Sequence, residues 1–229
     1  MKKLVVAATV VLFAGMGQVQ AVEGLDTDQK RLSYFLGMQV AQQIKGEGVA
    51  LEEPAFMMGF RDIYGGAAPK LSQEEIQGTL TRIQQQRVEV SKKISEANKR
   101  EEPVFMAANA KKSGVKQTAS GLQYKVINPG KGKSPKLTDV VEVHYRGTLI
   151  DGTEFDSSIK RGQPATFPVN GVIQGWQEVL PMMKEGAKWQ IVVPSKLAYG
   201  ERGAGAMIGP DATLIFDIEL LKIKPNTPQ

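Results

Sequence analysis

The spacing of apolar residues changes once along this chain, and that change limits the folds open to it more than any other feature. Before about residue 113, apolar residues recur every three or four positions, as on one face of a helix. From Gly121 onward they alternate with polar residues, as in half-buried strands. The sequence therefore predicts an α+β protein, with N-terminal helices followed by an antiparallel β-sheet wrapped around one short helix.

Residues 1–21 have the pattern of a secretory signal peptide, with a buried N-terminal helix as the alternative. Lys2 and Lys3 precede an apolar run, and residues 19–21 (Val-Gln-Ala) have the form of a cleavage site. These lysines are its only charged residues, so cleavage would lower the formal charge from +5 to +3, too weak to indicate nucleic-acid binding. The chain contains no cysteine for disulfides or lipid attachment. We therefore expect a soluble exported protein in a bacterial periplasm, without a membrane span.

Two short helices are predicted after the signal peptide. Asp26 can cap the first helix, with Gln29 as its reciprocal partner, and Gly46 is the expected end. The second helix is expected to begin near Leu51 and to end before Gly65.

A third helix has the clearest start in the sequence. Ser72 and Glu75 form a capping box, and the helical pattern continues to about Ala110, a length of roughly 55 Å. Pro103 is a potential kink. The apolar stripe is thin and the other faces are charged, so this helix is predicted to be a solvated strut that connects two domains.

The helices before the strut are too small to form an ample core of their own. Their apolar faces include Met38, Met57 and Met58, and methionine suits adaptable contacts. Pairing with a second copy would bury these faces, although the methionines could instead fill an intramolecular core. The predicted boundaries are 1–21 for the signal peptide, 22–70 for an all-α dimerisation domain, 71–113 for the connecting helix and 114–229 for the sheet domain.

The familiar catalytic constellations are missing from the sequence. His144 is the only histidine and there is no cysteine, so a Ser-His-Asp triad has one candidate base, and a zinc site lacks ligands. No glycine-rich nucleotide loop follows a strand. We therefore expect no metal and no cofactor. The remaining chemistry is that of a shaped apolar pocket.

Five segments of the second half form a distinctive series. They are Val-His-Tyr-Arg-Gly-Thr-Leu (143–149), Asp-Gly-Thr-Glu-Phe-Asp-Ser-Ser (151–158), Val-Ile-Gln-Gly-Trp (172–176), Leu-Ala-Tyr-Gly (197–200) and Ala-Thr-Leu-Ile-Phe-Asp-Ile-Glu-Leu (212–220). Together they resemble the FKBP-type peptidyl-prolyl isomerases. Their order and number make the resemblance specific. It implies an FKBP-like sheet and an enzyme that isomerises X-Pro bonds.

The helical half resembles the macrophage infectivity potentiator (Mip) branch of that family, through Leu-Ser-Tyr-Phe-Leu-Gly-Met (32–38) and the long polar helix. This branch implies an exported homodimer joined through the N-terminal helices, periplasmic, outer-membrane associated or secreted. Its partners would be unfolded or partly folded proteins that contain proline, and macrolides such as rapamycin would inhibit it. The alternatives are a holdase chaperone without catalysis and an adhesion or virulence factor.

The resemblance also assigns roles to individual residues. Without it, the aromatic residues would count as ordinary core, Asp156 as the start of a turn and Tyr199 as a loop cap. With it, the catalytic residues are Tyr145, Asp156 and Tyr199, and the substrate-binding residues are Phe155, Phe167, Val172, Ile173, Trp176, Ile208 and Phe216.

Two alanines depart from the pattern of small single-domain members. Ala165 stands where those members often carry phenylalanine, and Ala204 stands where they carry a bulky loop residue. Both would open the rim of the pocket. We expect weaker macrolide binding as a result, by about 1–3 kcal/mol for each missing aromatic ring.

Overall fold

A computed structural model describes residues 24–46 and 49–224. The predicted signal peptide lies outside the described residues. Among the described helices, none combines the length and the apolar character needed to cross a bilayer. The helices are α1 (Asp28–Gly46), α2 (Glu53–Tyr64), α3 (Gln73–Ala110) and α4 (Gln174–Val179), and the strands are β1 (Val115–Gln117), β2 (Gln123–Pro129), β3 (Val140–Leu149), β4 (Glu154–Ser157), β5 (Ala165–Pro168), β6 (Ala187–Val193) and β7 (Leu214–Lys224).

This order confirms the predicted α+β class, with a helical N-terminal region followed by a sheet and a short helix. The chain forms two compact units that meet in sequence between Val49 and Ala50. The first unit contains α1. The second contains α2, α3 and the entire sheet.

Helix α1 begins one residue later than the sequence predicted. Thr27 caps it: the Lys30 N–H donates to Thr27 Oγ1 at 3.3 Å and the Arg31 N–H donates to the Thr27 carbonyl at 3.0 Å. Asp26, the predicted cap, instead forms an ion pair with the Lys30 ammonium at 2.6 Å. Both residues can cap a helix, and the spacing of the apolar residues does not separate them. The helix ends at Gly46, as predicted.

The capping box of α3 is confirmed. The Glu75 N–H donates to Ser72 Oγ at 3.2 Å, and the Ser72 N–H donates to Glu75 Oε2 at 2.8 Å. The helix has 38 residues, which corresponds to about 57 Å at 1.5 Å per residue. It continues past Pro103 to Ala110.

The prediction of a solvated strut is correct only for the first part of α3. From Ser95 onward, polar side chains of the helix contact the sheet domain. Asn109, which is buried, donates to Gln123 Oε1 at 2.8 Å, and Gln123 donates to the Met106 carbonyl at 2.9 Å. The second half of α3 is therefore part of the sheet domain, because its polar residues find partners distant in sequence.

The strands form one antiparallel sheet in the order β1-β2-β6-β7-β3-β4, and β5 also pairs with β3. The predicted hairpin between β3 and β4 turns at Asp151-Gly152. Gly152 has a φ of +88°, where glycine is favoured, and the Thr153 N–H donates to Asp151 Oδ1 at 2.8 Å. Strand β3 lies between β7 on one side and β4 and β5 on the other, which places its residues at the centre of the domain.

The core lies where α4 packs against one face of the sheet. A Cβ atom on Gly175 of α4 would lie 2.5 Å from Val193 Cγ1, so only glycine permits this approach. On the same sheet, Trp189 stacks on Tyr124 with ring centroids 4.8 Å apart. The buried apolar residues include Val141, Val143, Leu122, Trp176, Val179, Leu180, Met183, Ile191, Leu214, Phe216, Ile218 and Leu220.

Candidate active site

A cavity of about 280 Å³ opens beside α4, between that helix and strands β3, β4, β5 and β7. Nine of the ten residues assigned from the sequence line it, and Gly171 completes the lining. The aromatic residues come from four strands, one helix and, for Tyr199, the loop between β6 and β7, so the fold and not local sequence brings them together. The lining consists of Tyr145, Phe155, Asp156, Phe167, Gly171, Val172, Ile173, Trp176, Tyr199 and Phe216.

Trp176 lies at the centre of the aromatic lining. Its indole ring meets Phe216 at a centroid distance of 5.3 Å and Tyr145 at 5.4 Å, and both contacts are edge-to-face. Phe167 meets the indole at 6.0 Å in the same geometry. Such contacts satisfy the preference of aromatic quadrupoles and hold each ring in one orientation. The cavity therefore has a rigid apolar base.

Gly147 of β3 makes room for two of these rings. A Cβ atom at this position would lie 2.6 Å from the Phe155 ring and 3.0 Å from the Phe216 ring. These two rings pack edge-to-face, with centroids 5.6 Å apart. The absence of a side chain at Gly147 thus sets how deeply Phe155 can lie against the sheet.

A polar cluster of three side chains occupies one edge of the cavity. The Tyr145 hydroxyl and the Arg161 guanidinium both donate to the Asp156 carboxylate. Arg161 Nη2 also donates to the Tyr145 hydroxyl oxygen at 2.8 Å. The Tyr145 hydroxyl therefore both donates and accepts a hydrogen bond inside the protein.

These contacts decide the charges in the cluster. Burial disfavours the charged carboxylate of Asp156, but the hydrogen bonds from Tyr145 and Arg161 outweigh that effect, so its pKa lies below the ordinary value. Burial raises the pKa of the Tyr145 hydroxyl, and its hydrogen bond to Asp156 raises it further, against the smaller opposing effect of Arg161. At neutral pH the cluster is a carboxylate, a guanidinium and a protonated phenol.

Tyr199 differs from Tyr145 in what its hydroxyl contacts. In the part of the chain that the structure describes, the Tyr199 hydroxyl has no hydrogen-bond partner, and the side chain lines the cavity while 41% exposed. Burial and the nearby charge of Asp156 raise its pKa, so the hydroxyl keeps its proton. It is therefore a donor available to a bound molecule.

The tenth predicted residue, Ile208, does not line the cavity. Its side chain is buried in the core, and its backbone pairs with Ala204 through two hydrogen bonds of 2.8 and 3.1 Å. Ala204 packs against the same core, and Ala165 lies in β5 opposite Val143. The substrate-binding role assigned to Ile208 remains a prediction without a place in the observed lining.

Sequence reasoning missed Arg161. The only signal is a basic residue five positions after Asp156, and Lys160 stands beside it with the same charge. The structure separates the two, because Lys160 pairs with Glu154 at 2.9 Å whereas Arg161 reaches Asp156 and Tyr145. Charge alone cannot show which of two adjacent basic residues in a turn contacts Asp156.

The arrangement can bind an apolar ring and donate hydrogen bonds, but it offers no evident covalent chemistry. Across residues 24–46 and 49–224, no three side chains of the metal-binding types come together. Only Tyr145, Asp156 and Tyr199 bring titratable groups to the lining, and each is held in one charge state near neutral pH. A reaction in this cavity must therefore proceed by binding and positioning.

Comparisons with known proteins agree with this geometry. The family model for FKBP-type peptidyl-prolyl cis-trans isomerase matches residues 131–221. The model for the domain amino terminal to FKBP-type peptidyl-prolyl isomerase matches residues 29–126. The two matches together span most of the chain.

Individual relatives are similar over nearly their whole length. The chain is 47% identical over 199 residues to the FKBP-type 22 kDa peptidyl-prolyl cis-trans isomerase of Escherichia coli (strain K12), covering 86% of this chain and 97% of that protein. It is 40% identical over 231 residues to Outer membrane protein MIP of Legionella longbeachae, covering 98% and 99%. The crystal structure of FkpA from Escherichia coli superposes with a TM-score of 0.62 at 37% identity, covering 88% and 99%. This chain is a member of the FKBP-type peptidyl-prolyl cis-trans isomerase family.

Proposed function

We propose that the enzyme isomerises X-Pro bonds in the aromatic cavity, and that its clients are exported proteins during folding. The observation that carries the proposal is the cavity itself, in which Trp176 forms the aromatic base and the Tyr199 hydroxyl has no hydrogen-bond partner among the described residues. A proline ring fits the apolar base, and the flanking peptide would lie along the polar edge.

An apolar cavity can accelerate this reaction without a nucleophile. The barrier to rotation of an amide is about 18–20 kcal/mol and reflects the resonance lost when the bond twists. A twisted amide is less dipolar than a planar one. An environment poor in water therefore favours the transition state over the ground state, and only such differential stabilisation raises the rate.

Each polar group has a proposed role in holding the substrate. The Tyr199 hydroxyl and the Ile173 N–H donate to carbonyl groups of the bound peptide. The Asp156 carboxylate, held in place by Tyr145 and Arg161, faces the twisting amide and stabilises its changing charge. Phe155, Phe167, Val172 and Phe216 close around the ring of the proline.

Two substitutions test the site. Asp156→Leu and Tyr145→Phe should each lower kcat/KM for an X-Pro tetrapeptide by roughly tenfold, or about 1.4 kcal/mol. Tyr124→Phe is the matched control, because Tyr124 stacks on Trp189 outside the cavity lining. If both cavity variants turned over the peptide at the normal rate, the proposed roles would be wrong.

We further propose that the protein is a homodimer joined through its N-terminal helices. Helices α1 and α2 have no buried residue in the single chain. Large apolar side chains on each are about half exposed, among them Phe35 at 51% and Phe60 at 53%. Soluble proteins rarely leave contiguous apolar surface uncovered, so such helices are suited to a second copy.

Deleting the residues before Leu71 tests this interface. The truncated chain should sediment as a monomer and keep its activity on a short peptide, because the cavity lies within later elements. Its activity on a slowly refolding protein should fall, since two linked cavities hold a long client at higher effective concentration than one. A truncated chain that remained dimeric would disprove the interface.

A chaperone activity independent of catalysis is the second candidate function. The exposed apolar side chains of α1 and α2 support it, because they could hold an unfolded client without isomerising it. The two activities separate in one comparison: Asp156→Leu should slow peptide isomerisation while still suppressing aggregation of an unfolded protein to the normal extent. Parallel loss of both would leave isomerisation as the sole function.

Localisation and macrolide binding complete the proposal. The predicted signal peptide supports export to the periplasm, and fractionation of cells with an antibody to the chain would test it. The aromatic lining supports binding of a macrolide such as rapamycin, whereas Ala165 supplies no aromatic ring at the position where small single-domain members often have one. We expect Ala165→Phe to tighten rapamycin binding, measured by inhibition of the peptide reaction.

A further inference from the structure

One carboxylate oxygen of helix α3 joins the two ends of the loop that carries Tyr199. We call this loop, residues 194–213 between β6 and β7, the flap. Glu102 Oε2 accepts a hydrogen bond from the Ser195 N–H at 2.8 Å and another from Thr213 Oγ1 at 2.7 Å. Ser195 and Thr213 lie at opposite ends of the flap. Helix α3 thus holds the two ends of the flap together.

A second set of contacts from α3 holds the flap farther along. Ser95 Oγ donates to Asp211 Oδ2 at 2.6 Å, and Lys99 Nζ lies 3.3 Å from the same oxygen. Asn98 donates to the Pro210 carbonyl at 2.7 Å. The contacts at Asp211 and Pro210 arise one to two helical turns before Glu102 on the same helix.

Asp211 links helix α3 to the backbone beside Tyr199. Its backbone N–H donates to the Gly200 carbonyl at 2.8 Å, and Gly200 follows Tyr199 directly. Asp211 has a φ of +57°, and no other non-glycine residue in the described part of the chain has a positive φ. A side chain in that region of φ persists only where surrounding contacts impose it. Here Ser95 and Lys99 supply those contacts.

We propose that α3 positions Tyr199 for isomerisation, with Glu102 and Ser95 as the positioning residues. Neither residue lines the cavity. Each residue acts through the flap. Glu102 fixes the positions of the two ends of the flap, and Ser95 fixes the position of Asp211, whose N–H donates to the Gly200 carbonyl. The proposal rests on the donor role of Tyr199 proposed above. It adds a function in catalysis to helix α3, which the sequence analysis described only as a connecting helix.

The physical reason is the conformational freedom of a long loop. The internal hydrogen bonds of the flap are those of short turns, the Ala204–Ile208 pair and the Asp211–Gly200 bond. They shape the flap itself but do not fix its position over the rest of the domain, which needs contacts from outside the loop. Hydrogen bonds to a charged acceptor are stronger than those between neutral groups, and Glu102 provides two from one oxygen. A Tyr199 hydroxyl held in place donates to the transition state without further loss of entropy.

The test uses the full chain with substitutions on α3. Glu102→Ala should lower kcat/KM for an X-Pro tetrapeptide on the order of tenfold. Glu102→Gln should recover most of the activity, because its amide oxygen can accept the same two hydrogen bonds. Glu101→Ala is the matched control: this neighbouring carboxylate is exposed and should be silent. Normal activity of Glu102→Ala would overturn the proposal.

Two further measurements distinguish positioning from a general loss of structure. In Glu102→Ala, amide hydrogen exchange should accelerate within residues 195–203 and stay unchanged at Ile218 in the core. In a Tyr199→Phe background, Glu102→Ala should add little further loss, because both changes act through one hydroxyl. Fully additive losses would refute the proposed route through Tyr199.

The outcomes separate this inference from the function proposed above. If Tyr199→Phe alone had no effect, the donor role would be wrong and the positioning role with it, although exchange would still report whether Glu102 anchors the flap. If Tyr199→Phe were slow but Glu102→Ala normal, only the positioning role would be wrong. Should Glu102→Ala fold poorly, Ser95→Ala supplies the same comparison at the second contact, with a threefold or greater loss expected.

Discussion

The helical segments before residue 94 and the sheet after residue 114 differ in where they place apolar side chains. In α1, Leu36 is 55% exposed, and α2 has no buried residue. In the sheet domain, Leu220 and Ile218 are completely buried. The sheet domain thus completes its core within one chain, whereas the helices leave their apolar faces uncovered. Apolar residues therefore stabilise the sheet from within, whereas those of α1 and α2 remain available for contact with another molecule.

The sharpest test of this comparison replaces one leucine in each region. Leu220→Ala should lower the free energy of unfolding of the sheet domain by about 2–5 kcal/mol, because it leaves a cavity in a packed core. Leu36→Ala should change the free energy of unfolding of the sheet domain by no more than about 0.5 kcal/mol, because that side chain is exposed in the single chain and its proposed contacts are with the second copy. Urea denaturation of both variants measures the difference. Comparable losses in the two variants would show that α1 packs as a core element.

Two glycines repeat the comparison with a smaller effect. Gly147→Ala should destabilise the protein by about 1–3 kcal/mol through overpacking, and should slow peptide turnover by displacing the rings of Phe155 and Phe216. Gly78→Ala, in the first half of α3, meets only the end of the Arg82 side chain at 3.4 Å. There alanine should stabilise the helix by up to about 1 kcal/mol. Thermal unfolding measures the change in stability of each variant. A change of the same sign in both would contradict the expected difference between the two glycines.

Arg161 and Lys160 sharpen the comparison within the sheet domain. Arg161→Met should lower kcat/KM up to about fivefold, the equivalent of about 1 kcal/mol, because the pair with Asp156 is partly exposed and screened by solvent. Lys160→Met should leave turnover unchanged, since Lys160 pairs with Glu154 away from the lining. A loss of activity in the lysine variant instead would reverse the assignment.

The smallest expected effect is that of pH. The pKa of Asp156 lies below its ordinary value near 3.9, and the pKa values of Tyr145 and Tyr199 lie above their ordinary value near 10. The carboxylate therefore stays charged, and both phenols stay protonated, across the neutral range. We expect kcat/KM for an uncharged peptide to be level from about pH 5 to pH 9. A break within this range would contradict the charge states assigned to Asp156, Tyr145 and Tyr199.

The same carboxylate contributes to stability with a defined sign. Because the folded-state pKa of Asp156 is lowered, its contribution is present above the unfolded-state value and is lost as pH falls through the folded-state value. Acid should therefore weaken the contacts of Asp156 with Tyr145 and Arg161 only at pH values below the ordinary range of an aspartate.

Patterns that depend on neighbours in sequence predicted the fold well. The alternation at Val141, Val143 and Tyr145 became a strand with one buried face, and the Ser72 capping box formed as expected. Such signals are local, because hydrogen-bond partners and side-chain faces are set within a few residues. The family resemblance then identified nine of the ten residues that line the cavity, all except Gly171.

The remainder depends on contacts between residues far apart in the chain. Glu102 and Ser195 are separated by 93 positions, and Ser95 and Asp211 by 116. On the sequence, Glu102 looks like any charged residue on a solvated helix face. Ile208 presents the opposite problem. It was assigned to the cavity but lies in the core, because its apolar side chain suits either environment. Neither choice can be made without the tertiary arrangement.

The aromatic base of the cavity also makes the enzyme its own optical probe. The sequence contains two tryptophans: Trp176 lines the cavity, and Trp189 stacks on Tyr124 outside the lining. A Trp189→Phe variant would keep that stack and leave one emitting indole, located where substrates and drugs are expected to bind. Changes in its emission would then report occupancy directly, without labels or a coupled assay.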